Sequence, residues 1–379
     1  MPRPLPRLLA AAAAVTLSLT LLAACGDAKK TDTDVKAASG GTDLSGVTLT
    51  LGDQANGLQT LLNAAGTLKN TPYKVKWAEF QGAAPLFQAM QSGQVDTGSA
   101  ADLPTLQAVS GGLKIKLVAA SSADGSGTAI LTQPGSAVRT VQDLKGKDVV
   151  ISSAKGSIAE YLLAKTLTDA GLKYSDVHVQ YLLPTAAQAA FNARKIGNWA
   201  TFGIYQDIAV QKGAKIVVDG RDGRTSGIGF ISAAQSSLTD PARKAAIADF
   251  LGRLAEAYAW AAAHRDQYAQ VFAQKNGVPL DVAKTVVGQG ADSLVPVSPT
   301  VTAKVQAVSD LMHTIGSLPT DVKVAGTVDT SAFPHALAPT TATTATTATT
   351  PTATTSANPN PNANANPSAT SSAAATPAN

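Results

Sequence analysis

A single cysteine, Cys25, in a chain of 379 residues excludes an internal disulfide framework. Charge is scarce as well: 15% of residues are charged, and the net charge is +4. There is no run of lysine or arginine, so a nucleic-acid partner is excluded. The four histidines, His178, His264, His313 and His335, are scattered and unpaired. Without ligand spacing, no metal is expected. Strings that announce common catalytic sites are missing too: no P-loop, no GxGxxG, no HExxH and no GxSxG. No cofactor and no catalytic residue is assigned.

One apolar run is present, residues 8–22, too short and too alanine-rich for a membrane span. Arg3 and Arg7 precede or open it, and Leu22-Ala23-Ala24-Cys25 closes it. This is the layout of a lipoprotein signal peptide over 1–24, ending in a string that looks like a bacterial lipobox. Cys25 would then be the lipid-bearing N-terminus, holding the protein on the extracytoplasmic side of the cell membrane. The alternative is an ordinary signal peptide followed by a chance cysteine. Acyl chains gain roughly 0.8 kcal/mol per buried CH2, so two or three anchor a domain firmly. Residues 25–44 are polar and poor in periodicity, and read as a flexible tether. Residues 334–379 contain no Asp, Glu, Lys or Arg and almost no large apolar side chain. Such a Thr/Ala/Pro/Asn-rich tail cannot bury enough surface to offset its ordering entropy and is expected to be disordered.

The remaining stretch, 45–333, alternates strand and helix patterns. Strands are expected at 46–52, 74–77, 94–97, 114–120, 128–132, 148–152, 177–182, 199–202, 215–218 and 226–233. Helices are expected between most of them. Asp240-Pro241 caps a long helix, and helical patterns fill most of 242–317. The alternation predicts an α/β fold of mostly parallel sheets with helices on both faces.

Three strand-to-helix loops carry small residues: Asp53-Gln54-Ala55-Asn56-Gly57, Gly98-Ser99-Ala100-Ala101-Asp102 and Ser153-Ala154-Lys155-Gly156-Ser157. Each offers backbone N–H donors and the partial positive charge of a helix start. One such end contributes about 0.3 to 1 kcal/mol when exposed, and up to ~2 when partly buried. Three converging ends with hydroxyl donors could hold an oxyanion at micromolar strength, near −8 kcal/mol. Asp102 and Ser157 read equally well as helix N-caps, and Ser157 with Glu160 fits a capping box. Ser99 is also ordinary turn chemistry, and Lys155 a solvated loop residue.

The stretch 77–106 carries a family resemblance. WAEF, then a Gly and a helix, then SGQVDTGS and a DLP turn, resembles the periplasmic solute-binding proteins of ABC importers. Within them it is similar to the branch for aliphatic sulfonates, taurine and nitrate. The likeness runs from about 49 to about 330. It implies a two-lobed periplasmic-binding-protein fold of type II, with a ligand cleft between the lobes. The first lobe would comprise 45–127 and 226–333, the second 128–225. Gln54 stands where the family usually touches its ligand. The family's D-A-W-A-x-W-x-P-Y region is matched here by Trp199 and Tyr205, with Phe202 in place of the second Trp. Gly197 and Gly203 replace acids and Ile204 the proline, which weakens any case for holding a cationic group. Trp199 and Phe202 also read as inward strand residues. Ala100, Gly156 and Ser226 complete the candidate set of Gln54, Ser99, Asp102, Lys155, Ser157, Trp199, Phe202 and Tyr205.

The resemblance implies a monomeric, lipid-anchored binding protein, not an enzyme. It would capture a small organic anion, best matched by an aliphatic sulfonate, and hand it to a membrane permease by hinge closure. Taurine, nitrate or a pyrimidine precursor are alternative cargoes. An enzyme on the same two-lobed fold, or a surface stalk working through its tail, are readings of a different class.

Overall fold

The computed structural model describes residues 42–334. The signal peptide, Cys25, most of the tether and the tail from His335 lie outside the described residues. In chain order the first part comprises β1 (Thr48–Gln54), α1 (Gly57–Ala65), β2 (Lys74–Phe80), α2 (Ala83–Gln91), β3 (Thr97–Ala101), α3 (Asp102–Ser110) and β4 (Ile115–Ser122). The middle comprises β5 (Thr128–Thr132), β6 (Asp148–Ser152), α4 (Ile158–Asp169), β7 (His178–Leu182), α5 (Pro184–Asn192), β8 (Asn198–Phe202), α6 (Gly203–Gln211) and β9 (Lys215–Asp219). The last part comprises β10 (Ile228–Ala234), α7 (Gln235–Thr239), α8 (Pro241–Ala263), α9 (Arg265–Asn276), α10 (Leu280–Gln289), β11 (Leu294–Val295) and α11 (Pro299–Thr314).

These elements build two sheets. The first has the order β11-β4-β10-β3-β1-β2, the second β7-β6-β8-β5-β9. The chain passes between them twice, after β4 and after β9. At the crossings the Ala123 N–H donates to the Gly227 carbonyl at 2.8 Å. A side chain at Gly227, where φ is +67°, would place its Cβ 2.1 Å from the Ala123 oxygen. Only glycine lets the two crossing segments run this close.

Local chemistry explains several elements directly. In β1, Leu49 and Leu51 point into the core under α1 and α8, while Gly52 faces Leu86 and Val95 on the other side of the sheet. Gly66, at φ +71°, ends α1 as a left-handed cap. The Asp240 carboxylate accepts the N–H groups of Ala242 and Arg243, and Pro241 occupies the first turn of α8, as the Asp-Pro pair predicts. Leu62, Val118, Ile231, Ile247, Phe250 and Leu254 then close a core between the first sheet, α1 and α8. Each such side chain gains about 1.5 to 3 kcal/mol on full burial. A second core joins Ile130, Val149 and Ile151 to Leu162, Leu163 and Leu167 of α4.

Two expectations need adjustment. Most strands of each sheet share one direction, but neither sheet is wholly parallel. β2-β1-β3 and β7-β6-β8 run parallel, but β10 lies antiparallel to both β3 and β4, and β5 antiparallel to both β8 and β9. β10 and β5 each start at a crossing and run away from it, whereas the βα strands run toward it. The second correction concerns 94–102. The strand is Thr97–Ala101, so Gly98, Ser99 and Ala100 are not a turn. Pairing with β10 through Ile231 and Phe230 keeps these small residues extended up to α3. Gly98 is there for packing: a Cβ would sit 2.5 Å from Leu86 of α2.

Among the described residues, no helix is long and apolar enough to cross a membrane. Among the same residues, no group of three or more His, Cys, Asp or Glu is placed to hold a metal.

Candidate functional site

A cavity of about 510 Å3 opens between the two sheets, beside the crossings. Residues at the C-terminal ends of β1, β3 and β8, and at the starts of α1, α2, α3, α4 and α6, line it. Gln54, Ser99, Ala100, Ser157, Phe202 and Tyr205 are all brought to it. Gln54 is locked in place, its Nε2 donating to the Ser99 carbonyl at 2.7 Å. The Ser157 hydroxyl accepts the Glu160 N–H at 3.3 Å, so its own proton remains to donate. Burial pushes the Tyr205 hydroxyl up, keeping it a neutral donor.

Five candidates fall away from this cavity. Trp199 is fully buried in the second lobe's core, 5.3 Å from the Phe191 ring, and its Nε1 donates to Ser152 Oγ at 2.9 Å. Its strand face, not the cleft, decides its role. Asp102 lies beneath the cleft, fully buried, accepting from the Leu103 N–H and the Ser226 hydroxyl. That bond ties α3 to the second crossing, which is the part Ser226 plays. Lys155 turns away to the Gly316 carbonyl at 3.2 Å. Lys155 and Gly156 face a separate cavity of about 190 Å3 against α2 and α3. The Gly156 N–H is also taken, by Glu160 Oε2 at 2.5 Å.

The helix ends differ from expectation in an informative way. The Asp53 carboxylate, only 2% exposed, accepts the N–H groups of Gln54, Leu58 and Gln59 and so caps α1. Burial nevertheless pushes its carboxyl up, against those bonds. Asp102 occupies the start of α3, and Glu160 that of α4. The three ends read from sequence as free donors thus carry their own carboxylates. Two other helices open onto the cavity without a side-chain cap or an acidic residue in the first turn: α2 through Ala83, and α6 through Gly203, Ile204 and Tyr205. One belongs to each lobe. An anion between them would meet the positive end of a helix dipole on both sides.

Hydroxyls that sequence reading missed line the same space: Ser121, Thr128, Ser153 and Thr225. Ser153 carries φ +76°, and its Oγ stands 3.0 Å from where a Cβ on Gly82 would sit. Backbone strain of this kind, about 1 to 3 kcal/mol, persists where the surroundings enforce it. A Ser-Ser pair in SSAKGS marks the strand end but not this conformation.

The lobes also meet outside the cavity. On one side Leu103 and Leu106 of α3 pack with Tyr161 and Ala164 of α4 and Val305, Val308 and Met312 of α11. Glu160 sits at this seam with no exposure, its Oε1 accepting from Tyr181 and Ser317 at 2.8 Å and from Tyr174 at 3.1 Å. On the other side Gln289 of α10 donates to Asp207 of α6 at 3.2 Å. Burial pushes the Asp207 carboxyl up to about 6.

Comparison with known proteins agrees with this architecture. The NMT1/THI5-like family model matches residues 74–268. A protein of Escherichia coli (strain K12), provisionally described as an aliphatic sulfonates-binding protein, is 29% identical over 253 residues, covering 66% of this chain and 78% of that protein. Among solved structures, the alkanesulfonate-binding protein SsuA of Xanthomonas axonopodis pv. citri, bound to MOPS, superposes with a TM-score of 0.69 at 29% identity, covering 74% of this chain and 98% of that one. The periplasmic aliphatic sulphonate binding protein SsuA of Escherichia coli gives 0.66 at 28% identity, covering 74% and 97%.

Proposed function

Because this chain belongs to the NMT1/THI5-like family, we propose that it is the substrate-binding component of an ABC importer, and that its cargo is an organic monoanion of the sulfonate type. The observation that carries this reading is the pair of uncapped helix starts, α2 and α6, facing one cavity from opposite lobes. Ser99, Ser157, Thr128 and Tyr205 supply hydroxyl donors around them. No covalent step is assigned to the site. Ligand bound between the lobes favours the closed arrangement, and the permease reads that arrangement. The hinge is the doubled crossing around Ala123 and Gly227.

Thermal unfolding of the full chain against alkanesulfonates, taurine, nitrate and carboxylates tests the reading. A sulfonate at 100 times its Kd stabilises by about 2.7 kcal/mol. A panel in which no sulfonate raises the melting temperature sinks it. The membrane side of the proposal rests on the LAAC string, with Cys25 carrying the lipid. Cys25→Ala should then lose labelled fatty acid and leave the membrane fraction. Equal labelling of variant and wild type would remove the anchor from the proposal.

A further inference from the structure

Beside the cavity, the lobes touch where α6 meets α10. α6 belongs to the second lobe and is tied to the first crossing. The Gly203 N–H donates to the Gly127 carbonyl at 2.7 Å, and Gln206 Nε2 to the Ser126 carbonyl at 2.8 Å. α10 belongs to the first lobe. Gln289, its last residue, reaches across and donates from Nε2 to Asp207 Oδ1 at 3.2 Å. The second oxygen on each side of this bond, Asp207 Oδ2 and Gln289 Oε1, is buried without a hydrogen-bond partner. One proton answers both. On Oδ2 it turns an acceptor into a donor, and a carboxylic acid can pair with a primary amide through two hydrogen bonds at once. Without it, the carboxylate of Asp207, a residue only 7% exposed, keeps a single neutral donor.

No cation relieves that charge. β5, β8 and α5 pack against α6 and carry no ionisable side chain. On α6 itself Tyr205 is the only other such group, and burial keeps it neutral. On α10, Asp281 accepts from Gln211 at 2.9 Å, and Lys284 pairs with Asp266 of α9 at 2.9 Å. By helix rise they stand about 12 and about 7.5 Å along the axis from Gln289. Elsewhere on α9, Arg265 is taken by Asp292 at 2.6 Å, Tyr268 is neutral and Lys275 is exposed. At the crossings Asp124 accepts from Ser126, and Arg221 pairs with Asp219 at 2.6 Å. Burial therefore acts unopposed by any cation, and the bond from Gln289 only partly offsets it.

We propose that Asp207 and Gln289 form a proton-operated latch between the lobes: the protonated pair holds them together, and loss of the proton loosens them. Parting the lobes returns Asp207 to water and its carboxyl to the ordinary 3.8, against about 6 in the latched state. The latched state thus binds the proton more tightly and is favoured as pH falls through about 6. From about pH 7.5 to about pH 5 the ratio of latched to parted molecules should rise by about tenfold. Small-angle X-ray scattering of the ligand-free full chain reads this directly. The wild type should be more compact at the lower pH. Asp207→Asn supplies the second donor at every pH, and should be as compact at neutral pH as the acidified wild type. Asp207→Leu has nothing to titrate and should not respond to pH. It serves if the first variant does not fold, as its melting temperature would show. Equal scattering of the wild type at both pH values overturns the latch, as does a pH response that persists in the variants. Scattering needs no ligand, so latch and cargo are tested apart. Calorimetry of sulfonate binding near pH 5.5, in buffers of different ionisation enthalpy, adds a second readout. The wild type should take up most of one proton more than Asp207→Asn, since the other buried carboxyls, Asp53 and Asp102, are common to both. Equal uptake overturns the latch and leaves the anion site standing.

Discussion

No lysine or arginine among the described residues pairs with Asp102, and burial pushes its carboxyl up to about 6 against the opposing bonds from Ser226 and Leu103. A carboxyl that holds its proton more tightly folded than unfolded adds stability below the unfolded value of 3.8. That contribution is lost as pH rises through about 6. The rise corresponds to at most ~3 kcal/mol. Asp102→Asn keeps a partner for Ser226 without the charge. Its melting temperature should vary less than the wild type's between about pH 4 and 6.5. Parallel pH curves would mean that the burial is relieved in solution. Ser99 and Trp199 make a complementary pair. Ser99→Ala removes a hydroxyl from the cavity, so calorimetry should show sulfonate affinity down by ~1.5 to 3 kcal/mol, with stability nearly unchanged. Trp199→Phe loses the bond to Ser152 and some packing, so denaturant unfolding should show ~1 to 3 kcal/mol less stability, with affinity retained. A large affinity loss in Trp199→Phe would return that residue to the cleft. Sequence alone could not separate these two residues. It supplies residue type, whereas strand parity decides that Trp199 turns inward and that Ser99 reaches the cavity.

At the scale of elements, helix starts were readable in the sequence, but which of them lack a side-chain cap was not. Asp53 reaches along the chain to Leu58 and Gln59, and Glu160 reaches back to Gly156. Such caps are visible only once the loop conformation is known. The start of α6 was masked by its resemblance to an aromatic wall motif, although its lack of an early acid was readable. That lack is testable. At Gly203 an added Cβ meets nothing within 4 Å, and φ +54° is tolerated by Asp and Asn. Gly203→Asp puts a carboxylate on the α6 dipole and should weaken sulfonate binding by ~1 to 2 kcal/mol, whereas Gly203→Asn should do much less. Equal losses in the two variants, measured by calorimetry, would assign the effect to shape and take the helix end out of the site. The reach of the cavity under α8, α9 and α10 was not legible at all. The sequence shows helical patterns over 242–317, and nothing in their periodicity says that α8, α9 and α10 stand apart enough to leave room.

For the whole molecule, strand and helix alternation was enough for the α/β class, and the family resemblance for two lobes. The mixed sheets were not, because strand direction depends on partners far apart in the chain. Phe230 of β10 pairs with Ala100 on one side and Ala120 on the other. That insertion of β10 sets an order of assembly. The second sheet is cut from one continuous stretch and can close as soon as β9 is made. The first must wait with β3 and β4 unpaired on facing edges until the chain returns from the other lobe. Long-range pairing of this kind is slow, since the loop must close before any contact rewards it. In pulse-labelled hydrogen exchange during refolding, amides of β5 through β9 should gain protection before those of β3 and β4. The lobe that begins first is finished last, and a chain stopped short of Ile228 would present two open strand edges to its neighbours, the form most exposed to aggregation.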